Sequence, residues 1–222
     1  IGEAFEDLHR DQLADVIGQL AYHFYMANHW AKALAYYLEA GHQARRVFAC
    51  HNALVYFDRA VEILNTHRPE DHGTMLLSVL NWKGHMQYCV GQLDAALESF
   101  KTLLALAEAG KHDRMIAEGL FRIGWAYFFL HKPRLAQKNL MEARKRAQKS
   151  DQKEIYLKAT SFLGSLHLML GKFQSARQLL VEALDLSQEQ MGKEAKAWTL
   201  ASLIKHYNWT AEFEEALDLC RS

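Results

Sequence analysis

A regular step of forty positions is the feature of this sequence that most constrains its fold. Glycine recurs at this step at Gly84, Gly124 and Gly164, and the next position in register is Ile204. Three further registers keep the same step: Ala96, Ala136, Ala176 and Ala216; Leu93, Pro133, Phe173 and Phe213; and Phe100, Leu140, Leu180 and Cys220. Four registers that share one period indicate a tandem array of similar units from residue 72 onward.

Each unit of the array is predicted to contain two helices. Apolar residues recur at helical spacing, as in Leu120, Ile123, Tyr127 and Leu130, and no stretch alternates as a strand does. This pattern predicts helices over 72–90, 92–109, 112–130, 133–149, 152–170, 172–190, 193–209 and 211–222. Three more are expected before the array, over 11–28, 30–49 and 52–65.

Break signals between the helices support this division. Gly91 and Gly171 suit the left-handed turn that ends a first helix. Pro133 suits the first position of a second helix, where a missing N–H costs nothing. Gly110 and Gly192 fall in the joints between units, and Ser150-Asp151 is predicted to cap the helix that starts near residue 152.

The start of the chain, over 1–70, departs from the regular period. Ala33 and Ala53 are separated by only half of the regular step, so this segment does not hold two full units. We expect a three-helix start over 1–70, followed by regular units near 72–111, 112–151, 152–191 and 192–222, with the last one truncated. All of them are expected to form one continuous domain cut from a longer protein.

The repeated small residues predict where paired helices cross. Only small side chains fit where two helix backbones approach closely. The glycines at 84, 124 and 164 are therefore expected at the crossings, opposite the alanines. Large side chains should fill the space between layers, and the residues in these roles are Gly84, Gly124, Gly164, Ala96, Ala136, Ala176, Ala216, Phe100, Leu140 and Leu180.

These units resemble the tetratricopeptide repeat. The similarity lies in Leu120-x-x-Ile123-Gly124-x-x-Tyr127 followed by Pro133-x-x-Ala136, Leu140 and Ala143, and again in Leu163-Gly164, Gly171, Phe173, Ala176, Leu180 and Ala183. The resemblance implies an all-α fold, a right-handed superhelical solenoid of five to six antiparallel helix pairs. It also implies a non-catalytic role in recognising a protein or peptide, or another domain of the same parent chain.

A narrower resemblance concerns the start of the chain. The segments Leu20-Ala21-Tyr22-His23-Phe24, Asn28-His29-Trp30-Ala31-Lys32-Ala33-Leu34 and Ala40-Gly41, with Ala49, Ala53 and Tyr56-Phe57, resemble the region after the ATPase module of bacterial multidomain signalling proteins. These include adenylate and guanylate cyclases. The resemblance implies a cytoplasmic, bacterial parent with an ATPase or cyclase part upstream, and a scaffold or sensor segment here.

In the repeat family the first helix of each unit lines a concave groove, and this implies candidate binding residues. Positions three, four and seven apart share a helix face. The candidates for a partner-binding groove are Asn81, His85, Tyr88, Phe121, Trp125, Phe128, Lys205, Asn208 and Trp209, with Phe129, Ser161, Ser165, Leu168, Met169 and Ala201 beside them. The alternative for the aromatic residues is ordinary packing between layers.

Other kinds of chemistry find little support in the sequence. The 26 basic and 26 acidic residues balance, which gives no electrostatic reason to expect nucleic acid or an anionic membrane as partner. The twelve histidines and three cysteines show no metal-ligand spacing, and no phosphate-binding loop or nucleophile elbow occurs. Cys50, Cys89 and Cys220 are odd in number and distant in sequence, which suits a reducing cytosol. We therefore expect no catalytic site, metal or cofactor.

Two other functions remain open at this stage. One is a small-molecule sensor, like the helical-repeat effector domains of some bacterial transcription activators. The other is self-association, because the exposed apolar end of a solenoid near Leu217 could pair with a second copy.

Overall fold

The computed structural model describes residues 13–69, 71–187 and 193–221, and this part of the chain consists of helices and turns without strands. Its helices are α1 (Leu13–Met26), α2 (Trp30–Arg46), α3 (Cys50–His67), α4 (His72–Cys89), α5 (Leu93–Ala109), α6 (Asp113–Phe129), α7 (Pro133–Lys149), α8 (Lys153–Met169), α9 (Phe173–Ser187), α10 (Lys193–Thr210) and α11 (Phe213–Arg221). Every predicted helix is confirmed, with each described end close to its predicted position. Residues 11, 12, 188–190 and 222 of those predictions lie outside the described residues.

Contacts divide the chain into two compact units, residues 1–110 and residues 111–222. The first unit contains α1 to α5 and the second contains α6 to α11. Within each unit, helices that follow one another in sequence pack against each other. Within the first unit, α3 packs on α4 across residue 70, where the regular units were predicted to begin.

Paired helices cross where a glycine on the first faces a large buried side chain on the second. A Cβ atom added to Gly124 would lie only 2.8 Å from Leu140 Cγ, so the two backbones approach closely. The same relation joins Gly84 to Phe100, Gly164 to Leu180 and Gly41 to Phe57. The alanines predicted near these crossings are all buried, namely Ala96, Ala136, Ala176 and Ala216.

The pairing of α2 with α3 reproduces the regular unit earlier than the sequence period indicates. Gly41 meets Phe57 at the same sequence spacing that separates Gly84 from Phe100. Ala53 is buried as the other crossing alanines are. The step from Gly41 to Gly84 is slightly longer than the regular one, so the strict period does not reveal this copy.

The turn inside each pair holds one residue in the left-handed region. Gly91 and Gly171 have φ values of 81° and 70°, as predicted. One full step later than each, His131 and Ala211 take the same conformation without glycine, at 53° and 61°. A backbone bond from Lys132 N to Tyr127 O, at 2.9 Å, closes the turn after α6 and satisfies an end carbonyl of that helix. α7 then begins at Pro133, which confirms the role predicted for that proline.

The prediction that Ser150-Asp151 caps α8 is wrong. The residue that precedes α8 is Gln152, which makes no side-chain capping bond. Ser150 ends the preceding helix and its hydroxyl donates to the Arg146 carbonyl at 2.8 Å, while Asp151 occupies the left-handed position of the joint. The turn is closed by backbone bonds, so polar side chains there are not needed as caps. Gly192, predicted in another joint, lies outside the described residues.

The most basic stretch of the sequence, near the end of α7, is tied to neighbouring helices. Arg144 donates to both carboxylate oxygens of Glu182 on α9, at 2.6 and 2.8 Å, and to the Tyr156 hydroxyl on α8 at 2.7 Å. Arg146 pairs with Glu142 on its own helix at 2.8 Å. Because these arginines already face carboxylates, the stretch offers less free positive charge than its sequence indicates.

No helix in the described ranges has both the length and the apolar composition that a membrane crossing requires. Nor do three or more His, Cys, Asp or Glu side chains converge, anywhere in those ranges, as ligands of a metal ion would.

Candidate binding pocket

The second unit contains a pocket of about 330 Å³ between the first helices of its three pairs. α8 and α10 each contribute residues three or four apart, which lie on one face of a helix, and α6 contributes its last two residues. The lining residues are Phe128, Phe129 and His131 from α6 and the following turn; Ser165, Leu168 and Met169 from α8; and Trp198, Ala201, Ser202 and Lys205 from α10.

A cluster of aromatic rings forms the base of the pocket. The Phe162 and Trp198 rings stack with their centroids 4.7 Å apart and their planes at 13°. Phe128 meets Phe162 edge to face at 5.5 Å, and Phe129 meets Trp198 at 6.1 Å. Such pairs contribute on the order of 1 kcal/mol each beyond the area that they bury. The rings therefore hold α6, α8 and α10 in a fixed arrangement.

Hydroxyl groups join α8 to α10 beneath the same face. The Ser161 and Thr199 hydroxyls lie 2.7 Å apart, and those of Ser165 and Ser202 lie 2.8 Å apart. Ser165 Oγ donates to the Ser161 carbonyl at 3.0 Å and accepts from Trp198 Nε1 at 3.0 Å. With Ser165 donating to that carbonyl, Ser202 must be the donor between the two serines. Ser165 has therefore used all its bonding capacity, whereas the oxygen of Ser202 can still accept a bond.

The rim of the pocket combines a flexible apolar side chain with a positive charge. Met169 is 45% exposed, and Lys205 is exposed with its amine 4.7 Å from the centroid of the Trp209 ring. No acidic side chain occurs among the lining residues that the structure describes. Lys205 thus brings a positive charge to a lining that contains no carboxylate.

A second pocket of the same volume lies between α7, α8 and α9, where the Gln152 side-chain oxygen is buried without a partner but the part-buried charged cluster around Glu182 is already paired. Its lining includes Tyr156 and Glu182. The Glu182 carboxylate accepts from the Tyr156 hydroxyl at 2.7 Å and from Arg144 as described above. A ligand there would have to displace these bonds. We therefore regard the aromatic pocket as the candidate site.

The structure brings some of the predicted groove residues into this pocket and separates others. Phe128 and Lys205 line it, together with Phe129, Ser165, Leu168, Met169 and Ala201. Asn208 and Trp209 are exposed further along α10 and do not line it. Asn81, His85 and Tyr88 lie half-buried on α4 in the first unit, where burial raises the pKa of the Tyr88 hydroxyl.

The aromatic residues of α6 lie in the core rather than on an open groove. Phe121 is 3% exposed, Trp125 is 7% exposed and Phe128 is 9% exposed. Phe121 packs edge to face on Phe162, and Trp125 on Phe129, at 5.8 and 5.4 Å. Phe121 and Trp125 therefore present little surface to a partner, because each packs against a neighbouring ring.

Three lining residues were not among the sequence candidates. Trp198 lies seven positions before Lys205, and Ser202 lies three before it, so both share its helix face. The spacing rule that selects residues on α6 and α8 also selects these two when it extends to the start of α10. His131 occupies the left-handed turn after α6, where spacing along a helix face does not select it.

Comparisons with known proteins concern the fold. No protein-family model matches the chain, and no curated protein matches it in sequence. BtubC (BKLC) from P. vanneervenii is 15% identical with a TM-score of 0.64, over 98% of this chain and 83% of that chain. A putative kinesin light chain from Podosopora anserina with nearly identical TPR-like repeats is 15% identical with a TM-score of 0.65, over 85% and 91%.

A third solved structure is a Rap protein complexed with Competence and Sporulation Factor. It is 18% identical with a TM-score of 0.60, over 93% of this chain and 56% of that chain. At these identities the similarity shows a shared architecture. Together with the paired helices described above, it shows that the chain has a fold like that of tetratricopeptide repeat proteins.

Proposed function

We propose that this chain is a non-catalytic interaction module whose aromatic pocket binds a partner protein or peptide. The observation that carries the proposal is the pocket itself, which combines packed aromatic rings with the positive charge of Lys205 in a lining that has no carboxylate. Aromatic surfaces with a polar rim are typical of sites that bind an apolar anchor. The Rap protein complexed with Competence and Sporulation Factor supports binding as a use of this fold.

The pocket favours an apolar anchor flanked by a carboxylate. Phe129, Leu168 and Met169 offer apolar contact, and Met adapts its shape to different anchors. Lys205 would attract an acidic residue beside the anchor, and the free acceptor of Ser202 would receive a backbone N–H. A buried anchor gives affinity, while the flanking charge mainly gives orientation and a faster encounter.

The resemblance of residues 20–57 to the region after bacterial ATPase modules supports a signalling context. In this proposal the parent protein carries the ATPase or cyclase part, and partner binding at α6, α8 and α10 biases that part. The chain described here supplies recognition and no catalysis.

Selection from a displayed peptide library on the immobilised full chain tests the proposal. The selected peptide is then titrated by calorimetry against matched pairs of exposed substitutions. Met169→Ala removes a pocket residue, and Met141→Ala removes a similarly exposed methionine of α7. We expect Met169→Ala to weaken binding about tenfold and Met141→Ala to leave it unchanged.

Charge reversal supplies the second pair. Lys205→Glu should weaken binding of an acidic peptide by about tenfold or more, whereas Lys138→Glu on α7 should not. Equal effects within either pair would refute the pocket as the site. The small-molecule sensor would be favoured instead if no peptide bound the chain while small apolar carboxylic acids bound it saturably. Lys205→Glu should then abolish the binding of these acids.

A further inference from the structure

Helices α3 and α4 bring together two cysteines that are distant in sequence. Each helix has 18 residues, and a short link joins His67 to His72. Two packed helices of equal length joined by a short link run antiparallel, so the start of the first lies beside the end of the second. Cys50 is the first residue of α3 and Cys89 is the last residue of α4.

An ion pair fixes the register of this hairpin. Lys83 Nζ lies 2.8 Å from Asp58 Oδ1. Asp58 lies about two helical turns after Cys50, and Lys83 lies a little less than two turns before Cys89. The two helices are therefore aligned so that the cysteines face each other at the same end.

The two thiols are neighbours at this end of the hairpin. Cys50 acts on the ionisation of the Cys89 thiol, which requires the two side chains to lie close together, and both cysteines are unbridged. Burial and the neighbouring Cys50 side chain together raise the pKa of the Cys89 thiol to about 11. Cys89 is nevertheless exposed to solvent and Cys50 is partly exposed, so a small reagent can reach the pair.

We propose that Cys50 and Cys89 form a reversible intramolecular disulfide, made by exchange with a small-molecule disulfide such as oxidised glutathione. The hairpin supplies what a disulfide requires, namely two side chains held close together on separate elements. Exposed disulfides are also the ones that exchange readily with the thiol pool, and so they respond to its redox state. The pair is thus a redox modification site of the first unit.

The exchange proceeds in two balanced steps. The Cys50 thiolate attacks one sulfur of the small disulfide, which forms a mixed disulfide on Cys50 and releases one small thiolate. Cys89 then loses its proton to solvent and attacks the Cys50 sulfur, which expels the second small thiolate. The two protein thiols are oxidised and one small disulfide is reduced to two thiols.

The order of these steps follows from the proximity of the two thiols. Cys89 is held protonated while it lies beside the free sulfur of Cys50, so Cys50 attacks first. Once Cys50 carries a neutral mixed disulfide, the effect of its sulfur on Cys89 disappears and burial alone remains. Cys89 can then ionise more readily and complete the bridge.

The experiment measures disulfide formation in the full chain with Cys220→Ser as background, so that the pair is the only source of thiols. The protein is equilibrated in glutathione redox buffers, quenched with acid, alkylated and mapped by mass spectrometry without reduction. We expect a peptide pair linked through Cys50 and Cys89. Its equilibrium constant should be about tenfold or more larger for the native chain than for the chain in urea, because folding preorganises the two thiols.

Two single variants complete the test. With Cys89→Ser, Cys50 should accumulate the mixed disulfide, and with Cys50→Ser the modification of Cys89 should be slower. Native protein that carries glutathione on either cysteine without the bridge would overturn the proposal. An equilibrium constant no larger in the native chain than in urea would overturn it equally, and neither result depends on how the variants fold.

Discussion

Replacing Gly124 by alanine tests how closely the backbones of α6 and α7 approach. The new Cβ would lie 2.8 Å from Leu140 Cγ and 3.0 Å from the Leu140 backbone nitrogen. A side chain can move aside by changing its rotamer, but a backbone nitrogen moves only with its helix. The substitution should therefore push the two helices apart and loosen the contacts around Leu140, which is fully buried.

Two opposing effects set the size of this change. Alanine in place of glycine inside a helix favours folding by about 1 kcal/mol. Overpacking a close crossing costs about 1–3 kcal/mol. The net expectation is a loss of about 1 kcal/mol in the free energy of unfolding, measured by urea titration with the helical circular dichroism signal as the probe.

A control and a double variant separate overpacking from other causes. Gly73→Ala on α4 introduces a Cβ that meets no neighbouring atom, and it should be neutral or stabilising by up to about 1 kcal/mol. Leu140→Ala alone should cost about 2–5 kcal/mol. The double variant should cost less than the sum of the singles by about 1 kcal/mol, because the new methyl enters the vacated space. The close approach would be refuted if Gly124→Ala stabilised the protein as the control does. It would also be refuted if the stability losses of the two single variants summed to that of the double variant.

Three further predictions concern the second unit. His131→Gly should raise the free energy of unfolding by about 1 kcal/mol in urea titrations, because His131 has a φ of 53° that glycine adopts without strain. Arg144→Ala should cost about 1–2 kcal/mol, since its charged bonds to Glu182 are partly shielded from water; Arg146→Ala, whose exposed pair lies on one helix, should cost at most about 0.5 kcal/mol, and equal losses would refute the distinction. Burial of His206 lowers its pKa in the folded state, with smaller effects from the Glu212 carboxylate, which raises it, and Arg177, which lowers it. The unfolded chain therefore takes up the proton first, and stability should fall as pH drops below the ordinary histidine value of 6.5. His206→Gln should reduce that fall between about pH 7 and about pH 5 in thermal melts, and an unchanged profile would contradict the assignment.

Much of the fold could be predicted because each repeat is marked by patterns that depend only on residues close together in sequence. Helical spacing, the glycine turns at 91 and 171 and Pro133 depend on the chain within a few residues, and all are confirmed. The prediction of a cap at Ser150-Asp151 was wrong because backbone hydrogen bonds close this turn, so a polar side chain is not needed there. The early unit at Gly41 was missed because its joint to the next unit is longer.

The candidate pocket was only partly predictable. Spacing along one helix places Phe129, Met169 and Lys205 on the faces that converge. It cannot tell which aromatic ring ends on the surface and which is covered, because that depends on rings from other helices. Phe121, for example, is buried against Phe162 of α8, which lies about one repeat away in sequence.

By itself, the sequence determined the positions of the helices in the described ranges and their pairing from residue 72 onward, since these follow from periodic apolar residues and from small residues at a fixed step. Tertiary structure alone decided the joining of Ser165 to Ser202, the enclosure of the aromatic pocket and the proximity of Cys50 to Cys89. The physical reason is that helix formation depends on neighbours within about one turn. These contacts instead join residues that lie most of a repeat apart, and their meeting depends on how long each helix is and how it packs.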